Sequence, residues 1–189
     1  MKLKTKLVIG FGSLMLILIA LTVVGYDRMN YMNKQMDRIY EDRYLKVRYS
    51  TGVRSEVNDM SRFVMSMMLN HNVATDNSTS QINDMIAKGE QSLQKLNATT
   101  TSPEEKQMLN RVQKAWSDYK EYINKQSALL SKGMMDEANT YRNGSGTPIQ
   151  QEAIDSINAL SEYQDLLVDQ QISNVKAAYN RSVQITTAI

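Results

Sequence analysis

The sequence predicts an all-α fold: an antiparallel, up-down-up-down four-helix bundle continuous with an N-terminal transmembrane helix. Three observations predict it. A charge-free apolar run occupies residues 7–26. Beyond it, apolar residues recur at alternating three- and four-residue steps, the spacing of a bundle seam. The punctuators of strands and tight turns are scarce, with two prolines and eight glycines in 189 residues against thirteen methionines.

The apolar run LVIGFGSLMLILIALTVVGY spans about 30 Å as a helix, the thickness of a bilayer core. A cleaved signal peptide has a shorter apolar core and an Ala-x-Ala-like site, and none follows Ala20, so a retained anchor is expected. Lys2, Lys4 and Lys6 precede the run and every acidic residue follows it. The positive-inside rule therefore assigns residues 1–6 to a cytoplasmic tail and residues 7–26 to the cell membrane. Residues 27–189 then form an extracytoplasmic domain, periplasmic or extracellular.

In the first soluble helix the seam runs through Met29, Met32, Met36 and Ile39, then Val53, Val57, Met60, Val64 and Met67. No proline interrupts the chain from the anchor to Leu69, so anchor and helix read as one rod whose soluble part is about 65 Å long. HNVATDNSTS, residues 71–80, reads as a polar turn containing a solvated His71. Ile82, Met85, Ile86, Leu93 and Leu96 mark a second helix that ends among Thr99, Thr100 and Thr101. The third helix has a clear start: Ser102 as N-cap, Pro103 at the first position and Glu105 completing a capping box. Its seam is Leu109, Val112, Trp116, Tyr119, Ile123 and Leu130, and Lys132 with Gly133 marks its end. A short helical piece over residues 134–141 leads to NGSG, after which Thr147, Pro148 and Gln150 repeat the capping logic for a fourth helix. Residues 182–189 lose their charges, so the chain is expected to be truncated before a second transmembrane helix.

Composition removes most chemistry. Without cysteine there is no thiol nucleophile or thiolate metal site, and one histidine makes no cluster. Gly-rich phosphate loops are absent and the carboxylates are scattered, so neither enzyme activity, cofactor nor metal is expected. Setting aside the three tail lysines leaves about 19 basic residues against 20 acidic ones, a balance that argues against nucleic acid as a partner. The methionines Met65, Met67 and Met68, with Phe63, sit at helical spacing and read as core filler rather than a ligand box.

The informative irregularity lies in the first helix, whose seam passes through Arg43, Lys46 and Ser50 between its apolar stretches. A charge in a bundle core is costly unless compensated. Antiparallel first and fourth helices pair residues whose numbers sum to about 214, at equal rise per residue. That sets Arg43 against Gln171 and Ser50 against Gln164, on a fourth-helix face that also holds Ala153, Ile157, Leu160, Leu167 and Asn174. One expectation is an anion site in which Arg43, Arg48 and Arg54 offer forked donors to an amino acid or small carboxylate and Gln164 or Gln171 completes the hydrogen bonds. The other is a stutter that turns Tyr40, Tyr44 and Val47 inward and leaves Arg43 and Lys46 solvated. A second apolar track on the fourth helix, Val168, Ile172, Val175 and Tyr179, leaves its inner face open. The second helix is too short to cover the first and fourth, which favours a homodimer.

Several features together resemble the four-helix-bundle ligand-binding domain of bacterial methyl-accepting chemotaxis proteins. They are the lysine-bearing N-terminus before Gly10, Phe11 and Gly12, then Tyr40, Asp42 and Arg43 of IYEDR, and LLSKGMMDEA at residues 129–138. The resemblance implies a homodimeric sensor for a small molecule or a ligand-loaded binding protein, signalling by displacement of the last helix. The same domain also occurs on histidine kinases and diguanylate cyclases. From a different class, the residues alone also permit an anchored structural or partner-binding bundle whose charged break sets helix register.

Overall fold

The computed structural model describes residues 3–70 and 76–187, and the expectation for His71 lies outside them. Among the described residues there are helices and no strands. Helix α1 (Leu3–Arg38) passes through a π-helical segment (Ile39–Tyr44) into α2 (Leu45–Leu69). Then come α3 (Asp76–Thr99), α4 (Pro103–Ser131) and α5 (Met135–Tyr141), and a second π-helical segment (Arg142–Gly146) opens directly into α6 (Thr147–Thr187).

The local signals act as the residues dictate, with three exceptions. Ser102 Oγ accepts the Glu105 backbone N–H at 3.1 Å, and Pro103 occupies the first helical turn of α4. At its other end Gly133 takes φ 70°, and the Met134 N–H reaches Leu129 O while the Gly133 N–H reaches Leu130 O, both at 3.0 Å. This is the Schellman closure that only a residue tolerant of left-handed backbone makes cheaply. The first exception is α3, which begins at Asp76, inside the segment expected to be turn.

The second is NGSG, expected as a loop and instead π-helical. Pro148 has no N–H to close an α-turn and its ring crowds the preceding turn. The backbone N–H and the hydroxyl of Thr147 both turn to the carbonyl of Arg142, the latter at 3.2 Å, which carries the chain onward without a break. The third is the π-helical stretch in the first rod, which is unbroken as expected but not uniform in rise.

The chain divides into two compact units. In Arg43–Leu166, four helices enclose one core. Val53, Val57, Met60, Val64 and Met67 of α2 meet Ile82, Leu93 and Leu96 of α3, the expected α4 seam, and Ala153, Ile157 and Leu160 of α6, all buried. Tyr119, wholly buried, donates from its hydroxyl to Val57 O at 2.7 Å, and burial pushes its phenol far above the usual range. Trp116 lies against α3 so closely that a Cβ on Gly89 would stand 2.2 Å from the ring. Met85 and Ile86 of α3 are partly buried against this core.

The other unit pairs α1 with the later part of α6 (Met1–Asp42 with Leu167–Ile189). In α1, one stretch of mean hydropathy 2.7 is long and apolar enough to cross a membrane, and none of it is buried. Beyond it the expected seam is corrected: Met29 and Met36 are exposed, while Gln35 is buried between the partly covered Met32 and Ile39. The facing track of α6 is Val168, Gln171, Val175 and Ala178, all partly buried, with Ile172, Asn174 and Tyr179 exposed. Gln35 takes the inner position with the Gln171 amide donating to its side-chain oxygen, a partner that no methionine offers.

Replacing Gly89 with Ala is expected to destabilise the protein by about 1–3 kcal/mol, because the Trp116 ring must move to admit one methyl group. A downward shift of the thermal melt followed by circular dichroism checks it, and an unchanged melt would show that the ring yields freely.

Candidate functional site

The polar interruption of α2 is compensated from an element that residue counting did not pair with it. Lys46 is fully buried, and its Nζ stands 3.2 and 3.0 Å from the two carboxylate oxygens of Glu105. Arg43, about a quarter exposed, donates to the same carboxylate at 3.1 Å. Glu105 is itself wholly buried in the first turn of α4. The expected capping box is thus half made. Ser102 takes the backbone N–H of Glu105, and the Glu105 side chain, instead of folding back to Ser102, crosses to α2. A lysine ammonium has no stable place in an apolar core without such a partner, and the helix N-terminus adds its own attraction for the carboxylate.

One turn along α2, the Ser50 hydroxyl lies 3.0 Å from both Gln164 Oε1 and the Lys46 carbonyl oxygen, its one proton shared between these two acceptors. This is the pairing that equal residue counting predicts. It continues antiparallel through Arg54 with Asn158 at 3.2 Å and Ser61 with Gln150 at 2.9 Å. Gln164 is fully buried, and among the described residues its Nε2 has no hydrogen-bond partner. A buried N–H2 without an acceptor is costly, so this layer is held in an incompletely satisfied arrangement.

The five residues proposed as an anion site are therefore distributed differently. Arg43 is turned to Glu105. Arg48 is exposed, because it lies two residues past the buried Lys46 and so about 200° around α2 from it. Arg54 is exposed and bound to a neutral amide. Along the helix Arg43 and Arg54 are about 16 Å apart, more than one small carboxylate bridges. Gln164 sits in the buried layer, and Gln171 belongs to the other unit, where it binds Gln35 rather than Arg43. Equal counting rested on equal rise per residue, and the π-helical segment ending at Tyr44 does not have it. The alternative of a stutter that solvates Lys46 is also corrected, since Lys46 is inside and Tyr40 and Tyr44 are exposed. Glu105 is the residue that the sequence reading missed as a partner. Its sole clue was an acid at the third position of a helix whose seam begins four residues later at Leu109.

Replacing Glu105 with Gln, which removes a buried carboxylate from the buried Lys46, is expected to cost about 3–5 kcal/mol. The double change Lys46→Met with Glu105→Leu is expected to recover most of it or exceed the parent, since two apolar side chains of similar volume need no compensation. Urea titrations of the three proteins check this, and equal losses in the single and double variants would contradict it.

Comparison with curated proteins gives no match. A family model described as a four helix bundle sensory module for signal transduction matches residues 1–179. The buried polar layer between α2, α4 and α6, the four-helix core around it and the apolar α1 all fall within that match, and the chain belongs to this family of sensory modules.

Proposed function

We propose that the chain is the extracytoplasmic input module of a transmembrane chemoreceptor, anchored by α1, homodimeric and without catalysis of its own. Binding of a small molecule shifts α6 against α2, and the displacement is passed on along α6. The observation that carries this reading is the α2–α6 seam. Side-chain hydrogen bonds at Ser50–Gln164, Arg54–Asn158 and Ser61–Gln150 are exchangeable partners, unlike an interlocked apolar contact. The unpartnered Gln164 Nε2 supports a second arrangement in which that donor is used. Two discrete packings separated by a small helix shift are a known basis for switching. Because α6 is one uninterrupted helix from Thr147 to Thr187, a shift at the seam is carried along its length.

An anionic ligand at the seam would meet Arg54, whose guanidinium has the neutral Asn158 oxygen as its partner and gains by exchanging it for a carboxylate. The dimer is supported by the large apolar side chains Met29, Tyr31 and Met36 on α1 and Ile172 and Tyr179 on α6, which are exposed on this chain and are covered by a second copy. Export of the body is supported by the lysines before α1. The same input serves a kinase or cyclase output equally well.

The absence of native cysteine makes both tests clean. With Ser61→Cys and Gln150→Cys introduced together and the chain fused to a receptor output, a short bismaleimide bridge is expected to abolish the ligand response, while either single variant responds after the same treatment. An undiminished response in the bridged protein would remove α6 displacement as the signal. Separately, a membrane-impermeant maleimide is expected to label Ser117→Cys in cells with an intact cytoplasmic membrane, and Lys4→Cys only after lysis. The reverse pattern would overturn the orientation.

A further inference from the structure

The methionine cluster of α2 divides between two roles. Met67 is core, 5 % exposed, whereas Met65 and Met68 are only partly buried and line a groove of about 380 Å³. Leu69 completes the α2 wall, and the opposite wall is Met135, Asp136, Asn139 and Arg142, from α5 and the start of the second π-helical segment. The volume lies in the range of small-molecule sites, which combine an apolar lining with a few polar groups. Three thioethers and a leucine make an adaptable apolar surface.

We propose that this groove binds a small dipolar molecule with an apolar end, the apolar amino acids being its simplest members. Its two charged lining groups are of opposite sign, and among the described residues neither Asp136 nor Arg142 is in an ion pair with the protein. Their charges cancel, so a net anion meets the Asp136 carboxylate and a net cation meets the Arg142 guanidinium. A molecule carrying both charges satisfies both groups, with its apolar end against Met65, Met68 and Met135. This differs from the arginine-only chemistry of the α2–α6 seam.

The groove is also built to a width. Gln126 of α4, fully buried, places Nε2 at 3.2 Å from Met68 Sδ on one wall and donates at 2.9 Å to the Ala138 carbonyl in α5. Its Oε1 is buried with no partner among the described residues. One side chain therefore ties the two walls together. The polar wall ends at the residue that controls entry into α6, since the Arg142 carbonyl receives both the N–H and the hydroxyl of Thr147. An occupant held by Arg142 acts on the start of α6, a consequence that rests on the signalling reading above, whereas the site itself does not.

The test is calorimetric titration of the full chain in lipid nanodiscs with L-leucine and L-methionine, each beside its analogue lacking the ammonium and its analogue lacking the carboxylate. Both amino acids are expected to saturate the protein below about 10 mM. Arg142→Gln and Asp136→Asn are each expected to weaken them about tenfold or more, as is loss of either charge from the probe. Arg54→Ala is expected to leave binding unchanged. Unaltered far-UV dichroism of these part-exposed variants separates lost contacts from lost fold. No saturable heat from either amino acid overturns the proposal, as does equal binding of the deaminated acids or dependence on Arg54 rather than Arg142. The bismaleimide test does not involve the groove, so the signalling reading stands or falls separately.

Discussion

The contact between Lys46 and Glu105 constrains everything around it. A fully buried ammonium tolerates few surroundings, and here the Glu105 carboxylate, also fully buried, is shared between it and Arg43. That carboxylate is available because Ser102 has already taken the backbone N–H of Glu105 and fixed the start of α4. The cap therefore aims the side chain. Once α4 begins there, its apolar seam from Leu109 to Leu130 is in phase with α2, and Tyr119 reaches the Val57 carbonyl. The ion pair adds little net stability over an apolar alternative, so its use lies in specifying one phase of α2 against α4.

Each of the two π-helical segments leads directly into a helix of the α2–α6 seam. One ends immediately before α2 and the other immediately before α6, the two helices that share the seam of exchangeable hydrogen bonds. Local π geometry breaks the uniform ladder of an α-helix and is found mostly where a chain performs work. Here each break stands beside a polar group that matters: Arg43 and Lys46 at the first, Arg142 and Thr147 at the second. The apolar core between them, centred on Val57, Met60, Tyr119 and Ile157, is tightly closed and has no comparable freedom.

Much of this was legible from residue order because it depends on local periodicity and capping. The seam Val53, Val57, Met60, Val64 and Met67 is buried as the three-four spacing requires, and Ser102, Pro103 and Gly133 delimit α4 as their backbone preferences require. Ser50 against Gln164 agrees with antiparallel counting even though the count crosses the π-helical segment before Ser50. What failed depended on contacts that no local pattern encodes. Glu105 had a sufficient local explanation as a capping residue, so its long-range partner stayed hidden. NGSG has the composition of a turn, and only the missing N–H of Pro148 within a continuing helix makes it π-helical. Burial of Gln35 in place of Met36 depended on the single partner Gln171 outweighing hydropathy.

Trp116, the single tryptophan in the chain, is 3 % exposed and rests on the backbone of Gly89 with no side chain between them. Among the described residues its indole N–H has no acceptor. The protein thereby contains its own optical gauge. Emission excited selectively from this indole arises at one known place, the α3–α4 contact, without any attached dye. Any event that parts those helices admits water to that N–H and moves the emission to longer wavelength, so the state of the bundle is readable in unmodified protein.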